Sequence, residues 1–503
     1  MNYSLRAIRS AGLSIALLCM ASIQAQVSRV QIDEPGLSPA TIKAHVTFLA
    51  DDLLEGREPG TRGHAIAARY VAAKFMELGL TPAGDAGDWF QTVRLDEQVL
   101  TPTRSTLAIT GRQGAKRWMH ATDVIITANP ATQAQSVEAP VVFAGFGIDA
   151  PQRGFDDYNG LDVRGKIVAV LIGTPQGTPS EMGAHLAATK ERMAQQRGAI
   201  GMIMLDTRIV RSLFPWQRRI ENDASPRMTW TDSQGRPFVS APGILASAAI
   251  NETAAEVLFA GARRSLDAVL DEADRHDGRP KGFALPASAR IEWQSTHRVH
   301  TSPNVLGLIP GEDPVLKDEV VLMMAHLDHV GMRPVQNGDT IVNGAIDNAM
   351  GVAIMLDVAR AFTSSTQRPR RSILFLANTA EEKGLLGTEY FANQPTLPLA
   401  RIVGVLNLDV PILTYDFIDV IAFGAEHSTL RNDVAKAAAA AGVVLSPDPL
   451  PDEGLFTRSD HYALVKKGVP ALFLATGHGA AGKQAWQTYL RSEEHTSELQ
   501  SPI

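Results

Sequence analysis

Cysteine is nearly missing from this chain: Cys19 is the only one among 503 residues. One thiol cannot pair within a chain, so a fold stapled by internal disulfides is excluded. Long apolar runs are missing too. The stretch Ala11 to Ala21 is too short to cross a bilayer. There is no low-complexity tract and no short-period repeat. No G-x-S-x-G elbow precedes a helix, so covalent serine catalysis lacks its usual mark. The formal net charge of -7 gives no electrostatic reason to expect nucleic acid or an anionic membrane as partner. The remaining composition, 45% hydrophobic and 20% charged, is that of a folded soluble protein. The length points to two domains or to one large domain carrying an insertion.

The two ends read differently from the middle. Arg6 and Arg9 precede the apolar run, and Ser22-Ile23-Gln24-Ala25 follows it. That layout predicts a secretory signal over residues 1–25, cleaved after Ala25, and hence a periplasmic or secreted protein with no stable membrane insertion afterwards. A lipoprotein anchor would need a small residue before Cys19, where Leu18 stands. Removal of residues 1–25 leaves a mature chain without cysteine, which also removes any thiol nucleophile. At the other end, Arg491 to Ser501 resembles the translation of a sequencing-adapter oligonucleotide. The natural part of this sequence is therefore expected to break off at about Leu490, with an unknown C-terminal segment missing and residues 491–503 foreign.

Between the ends, Ser38 to Leu80 has helical periodicity, broken by a loop at Gly56 to Gly63. Ala67, Val71, Phe75 and Leu78 share one face, and Gly79 is placed to end the helix. Val141–Ile148, Lys166–Ile172 and Ile200–Leu205 read as strands, with a helix from His185 to Gln196. Trp216 to Pro242 has little periodicity and reads as loop. From Asn304 to Leu474 strands and helices alternate, which predicts an α/β domain with a mixed, largely parallel central sheet flanked by helices.

Ionisable residues cluster in that last region. The apolar strand Val320 to Met324 delivers His326 and Asp328, Ser372 to Ala377 delivers Glu381 and Glu382, and Ile402 to Leu408 delivers Asp409. Asp347 precedes a helix whose apolar residues Val352, Met355, Leu356 and Ala359 recur at helical spacing. Ligands bind beyond the C-terminal ends of strands in open α/β sheets. Each piece alone has a plain structural explanation: His-x-Asp pairs are common on surfaces, and paired glutamates open helices. Together they suit a divalent cation. Positions 326 and 328 share a face on extended backbone, so Asp328 could accept the second ring N–H of a ligating His326. Of the neighbours Glu381 and Glu382, one could bind metal while the other stays free as general base.

The segments MAHLDHVG (Met324–Gly331), NGAIDNAMGVAIMLDVAR (Asn343–Arg360), FLANTAEEKGLLGTEYF (Phe375–Phe391), VLNLDV (Val405–Val410) and FTRSDHYALVKKGVPALFL (Phe456–Leu474) together resemble the di-zinc aminopeptidases, co-catalytic zinc exopeptidases of the bacterial leucyl-aminopeptidase type. Spacing agrees: Asp347 follows His326 by 21 positions, Glu381 follows Asp347 by 34, and Asp409 follows Glu381 by 28. The stretch Leu49 to Gly63 resembles the family's N-terminal segment.

The resemblance implies a zinc exopeptidase fold in which 26–136 and 284–490 form the peptidase domain and 137–283 is an inserted, β-rich protease-associated domain. It implies two Zn2+ ions and peptide substrates. Asp347 would bridge the ions, His326 and Asp409 would complete one position, and Glu382 would bind the other. Glu381 would be the general base and Asp328 would orient His326. It further implies a cis peptide at Asp347–Asn348. The family's last zinc-binding histidine falls beyond Leu490, so one zinc is expected to bind well and the second weakly. His495 is not accepted as a substitute. His461 has only a small claim, His329 and His478 are read as polar loop residues, and the loop near Arg57, Arg62 and His64 is read as structural. A glutaminyl-cyclase-like transferase, a carboxypeptidase and a non-catalytic binding protein on the same fold are the competing readings.

Overall fold

One 27-residue strand, Phe283–Ile309, runs through two sheets and ties the chain together. The computed structural model describes residues 36–112, 114–223, 225–336 and 338–489, without the side chains of 334–336 and 452. The signal and adapter readings, and His495, lie outside these residues.

The sheet that carries the candidate residues is mixed. Its middle strands Ser372–Asn378, Val320–His326, Ile402–Leu408 and Ala471–Thr476 lie side by side and parallel. Pairing turns antiparallel toward both edges, through Phe283–Ile309, Phe90–Leu100 and Arg227–Thr231 on one side and Asp419–Phe423 on the other. Strands covered on both faces must be apolar on both, and Ser372–Asn378 is buried at every position. One face packs on the helices Pro39–Leu49, Arg62–Glu77 and Met350–Ser364, with Ala67, Val71, Phe75, Val352, Met355, Leu356 and Ala359 in the shared core. The other face packs on Leu386–Asn393 and His461–Val465. Gly79, at φ +73°, follows the end of the second helix, as its position in the sequence predicts.

The second sheet has a parallel centre, Ala134–Phe143, Ile167–Leu171, Gly201–Leu205 and Ala246–Ile250. It is completed by Val124–Thr127, Thr106–Gly111, Gly114–Met119 and the first half of Phe283–Ile309. Strand pairing therefore extends this layer upstream of residue 137 and past residue 283. Helix Ser180–Ala188 docks it on the first sheet's loops: Ser180 Oγ donates to Asp448 Oδ2 at 2.5 Å, Glu181 Oε1 accepts from Gly424 N at 2.6 Å, and His185 Nδ1 lies 3.0 Å from the Tyr462 hydroxyl.

Two local readings differ from the structure. The stretch Trp216 to Pro242 is not all loop, because it holds the helix Trp216–Asp223 and the strand Arg227–Thr231. The helix buries no residue, and the strand borrows its order from Phe90–Leu100, so neither announces itself by apolar periodicity. The helix expected over His185 to Gln196 is two, Ser180–Ala188 and Lys190–Gln196, meeting at Thr189. Among the described residues no helix is long and apolar enough to cross a membrane.

Candidate metal centre

Because the four middle strands are parallel, their C-terminal ends open on the same edge, and three of them, ending at His326, Asn378 and Leu408, each deliver one part of the site. His326 closes its strand, and its Nδ1 donates to the backbone carbonyl of Asp328 at 3.1 Å. This bond turns Nε2 inward, 3.0 Å from Asp347 Oδ1 and 3.1 Å from Asp409 Oδ1. The carboxylate of Asp328 is 3.8 Å from the ring and does other work. Its two oxygens accept the backbone N–H groups of Glu381 and Glu382 at 3.1 and 3.2 Å. The ring is thus held by the main chain of Asp328, while its side chain sets the turn that carries both glutamates.

Asp409 is held from behind. Asn407 Nδ2 donates to Ser459 Oγ at 2.6 Å, and Ser459 Oγ donates to Asp409 Oδ2 at 2.5 Å, leaving Oδ1 for the His326 side. Asp347 enters from the turn before Met350–Ser364. The Asp347–Asn348 peptide is cis. The Asn348 side chain ties this turn to Leu408 O at 2.8 Å and to Gly351 N at 3.1 Å, and Tyr489 donates to Asp347 Oδ2 at 3.2 Å.

His329 lies in the loop after the strand, as expected, but it is not at the surface. It is fully buried, and its Nδ1 lies 2.6 Å from Glu382 Oε1. His461 is also buried but packs edge-on against Phe456, and it belongs to neither potential ligand group described below. His478 is partly buried beside Trp486. His64, buried, meets Ser302 Oγ at 3.1 Å.

Arg57 sits beneath the site, buried, at φ +51°. Its guanidinium donates to Leu327 O at 2.9 Å, Asn343 O at 2.6 Å, Gly344 O at 2.9 Å and also to Leu49 O. A single side chain thereby joins the His326–His329 segment to the turn that precedes Asp347.

Six carboxylates, Asp328, Asp347, Glu381, Glu382, Asp409 and Asp460, are buried here with few cations to offset them. Burial and the Glu382 charge push Asp347 up to about 7. Burial, reinforced by Asp409 and Glu382, holds Glu381 well above the carboxylate range. Burial raises Asp328 to about 6 and Asp460 to about 7. Burial opposes charge on His326, yet Asp409, Glu381 and Asp347 outweigh it and raise the imidazole well above its ordinary value. Asp409 is likewise opposed by burial, but His326 and the Ser459 hydroxyl bring it below the usual range.

Such a concentration of like charge is costly without cations. The donor atoms fall into two groups, His326–Asp347–Asp409 and His329–Asp347–Glu382, each with its atoms within 4.8 Å of one another. Nitrogen and oxygen donors of this kind suit zinc, whose tetrahedral ligands at ~2.0–2.1 Å stand about 3.3 Å apart. The 3.0–3.1 Å spacings around His326 need only a small expansion to meet that figure. The residues therefore fit zinc, and Asp347 belongs to both groups.

Comparison with known proteins agrees with the chemistry. Residues 304–499 match the family model for Peptidase family M28. Aminopeptidase NAALADL1 of Mus musculus is 32% identical over 142 residues, 27% of this chain and 17% of that protein. Leupeptin-inactivating enzyme 1 of Streptomyces exfoliatus is 30% identical over 194 residues, 37% of this chain and 39% of that one. The chain thus spans less than half the length of these relatives. A solved aminopeptidase from Aneurinibacillus sp. strain AM-1 superposes with a TM-score of 0.48 and 20% identity, covering 88% of this chain and 85% of that chain.

Proposed function

We propose that this chain, which carries a peptidase family M28 domain over residues 304–499, is an exported zinc aminopeptidase acting on peptide N-termini. The observation that carries the reading is the pair of buried ligand groups sharing Asp347, with Glu381 beside them and in neither group. The printed names of the relatives, an aminopeptidase and a leupeptin-inactivating enzyme, support the substrate class. The signal-like pattern from Arg6 to Ala25 supports export.

Asp347 is the shared ligand, His326 and Asp409 complete one position, and Glu382 serves the other. Zinc held by these residues would supply Lewis-acid polarisation of the scissile carbonyl and a lowered pKa for water. Glu381 is the proton carrier. Burial beside Asp409 and Glu382 raises its carboxyl from the ordinary range, which suits a group that takes a proton and then gives it to the leaving amine. Asp328 places Glu381 and Glu382 through their backbone N–H groups, so its part is positioning. The layer around residues 137–283 is the protease-associated insert of this reading.

The test uses the zinc-loaded chain and an aminoacyl anilide. Glu381→Gln should keep its zinc and lose turnover by about 10²–10⁴-fold, the usual worth of a general base. Glu382→Gln should lose metal as well. Equal zinc loss in both variants, or wild-type turnover in Glu381→Gln, would overturn the assignment.

A further inference from the structure

We infer that Asp460 is a positioning residue for Glu381, its side chain clasping both stems of the loop that carries this proton carrier. The inference rests on the reading of Glu381 above and adds a residue to it. Asp460 is fully buried and belongs to neither ligand group. It stands at the start of the helix His461–Val465, where an aspartate ordinarily caps the first turn, yet its side chain makes no capping bond. Both oxygens reach across to another part of the fold instead. Oδ2 accepts from Asn378 Nδ2 at 2.7 Å, and Oδ1 accepts from Thr388 Oγ1 at 2.7 Å.

Those two partners bracket one loop. Asn378 closes the strand Ser372–Asn378, Thr388 lies in the first turn of Leu386–Asn393, and Glu381 and Glu382 fall between them. Just inside the clasp the loop is shut a second time. Asn304 Oδ1 accepts from Thr379 N at 3.0 Å, Asn304 Nδ2 donates to Gly387 O at 2.9 Å, and Gly387 N donates to Thr379 O at 3.0 Å. The closure is tight enough to need glycine: a Cβ at Gly387 would stand 2.1 Å from Thr379 O. Within the loop Ala380 and Leu385 have φ +55° and +61°, a left-handed backbone that persists only where the surroundings impose it. Asp328 holds the tip through the N–H groups of Glu381 and Glu382. Tip and stems are thus gripped by two aspartates from different elements. Two donors face Asp460, and a carboxylate presents an acceptor oxygen to each. Loss of that grip frees the stems to part, and the Glu381 carboxyl moves with them.

Two other roles compete: a polar filler of the space between elements, and a charge that acts on Glu381 across space. The zinc-loaded chain and its variants are assayed with an aminoacyl anilide at saturating zinc, and hydrogen exchange is followed over 379–387. Asp460→Ala should lower kcat about 10–100-fold with KM near that of wild type. It should also speed exchange over 379–387 and leave the strand Val320–His326 as it was. Asp460→Asn keeps the shape and one acceptor, and should recover most of kcat. Thr388→Val keeps the volume, removes half of the clasp and should show the same pattern at smaller size, with Thr388→Ser restoring it. This pair covers the case in which alanine fails to fold. A filler would lower stability and leave kcat alone, whereas a through-space charge would leave Asp460→Asn as slow as Asp460→Ala. Either result overturns the inference, as does unchanged exchange over 379–387. A wild type that binds zinc and turns over no anilide would sink the proposed function instead, and exchange alone would then decide the clasp.

Discussion

Replacing Arg57 by methionine should loosen both proposed zinc positions at once, although Arg57 belongs to neither ligand group. The side chain is 1% exposed and its guanidinium serves the carbonyls of Leu49, Leu327, Asn343 and Gly344. Methionine fills much of the same volume and donates nothing. A buried carbonyl left without its donor costs about 1–3 kcal/mol. Gly344 O keeps the Ala349 N–H, and neighbouring donors and water recover part of the rest, so the low end for three carbonyls, about 3 kcal/mol, is the expected destabilisation of the metal-free chain. That is a large share of a typical total of about 5–15 kcal/mol. Arg57→Lys keeps the charge but has one ammonium on a flexible stem, which cannot span four carbonyls, and should recover about half. Since the guanidinium holds the segments on either side, 327 and 343–344, both zinc affinities should fall in parallel. Denaturant unfolding gives the first quantity and chelator competition the second. A methionine variant within about 1 kcal/mol of wild type, with unchanged zinc binding, would refute the claim that this side chain sets the two segments.

Other outcomes follow from the same geometry. Zinc at about a thousand times its dissociation constant should stabilise the chain by about 4 kcal/mol, seen as a rise in Tm by calorimetry that a chelator reverses; no shift would contradict metal binding by the folded state. Ser459→Ala removes the donor behind Asp409 and should weaken zinc at the His326 position about 10–100-fold by chelator competition, with Ser459→Thr restoring it. Burial, with the nearby Arg57 charge, depresses His64 from 6.5 to about 3. The folded state then keeps it neutral where the unfolded chain takes up a proton. Its contribution is whole above pH 6.5 and is lost as pH falls, by about 2 kcal/mol between pH 6.5 and 5. Denaturant unfolding of His64→Gln across that interval should show a correspondingly flatter pH dependence.

Much of this was readable from the letters. Val320 to Met324 and Ile402 to Leu408 are apolar on both faces, which marks covered parallel strands, and polar residues directly after such strands fall on one edge by topology alone. His326, Asp347, Glu382 and Asp409 could therefore be listed before any coordinates. What was not legible depends on which atoms turn toward which. The i, i+2 relation between His326 and Asp328 suggests a side-chain bond, but the carbonyl lies closer to the ring, and the carboxylate faces the Glu381–Glu382 turn. His329 stood in plain view as the next letter after Asp328. Its strand parity points away from His326, which makes it look like surface, until the chain leaves the strand and the ring turns to Glu382. For Arg57 the sequence suggests a structural loop but not its partners, since these are backbone carbonyls and any residue supplies those.

The strand Phe283–Ile309 has a mechanical consequence. It pairs with Ala134–Phe143 up to Gln294 and with Phe90–Leu100 from Ser295, so no linker separates the two sheets on that side. With about 3.3 Å of rise per residue it is a beam of up to about 90 Å, continuous across the junction. The second sheet cannot swing over the strand ends like a door on a pin. Any approach or retreat has to be taken up as torsion and flexure of this beam, which is shared with the sheet that carries the candidate ligands. An excision of residues 137–283 would likewise strip the beam's first half of a neighbour, leaving an open, unpaired edge next to the sheet that remained.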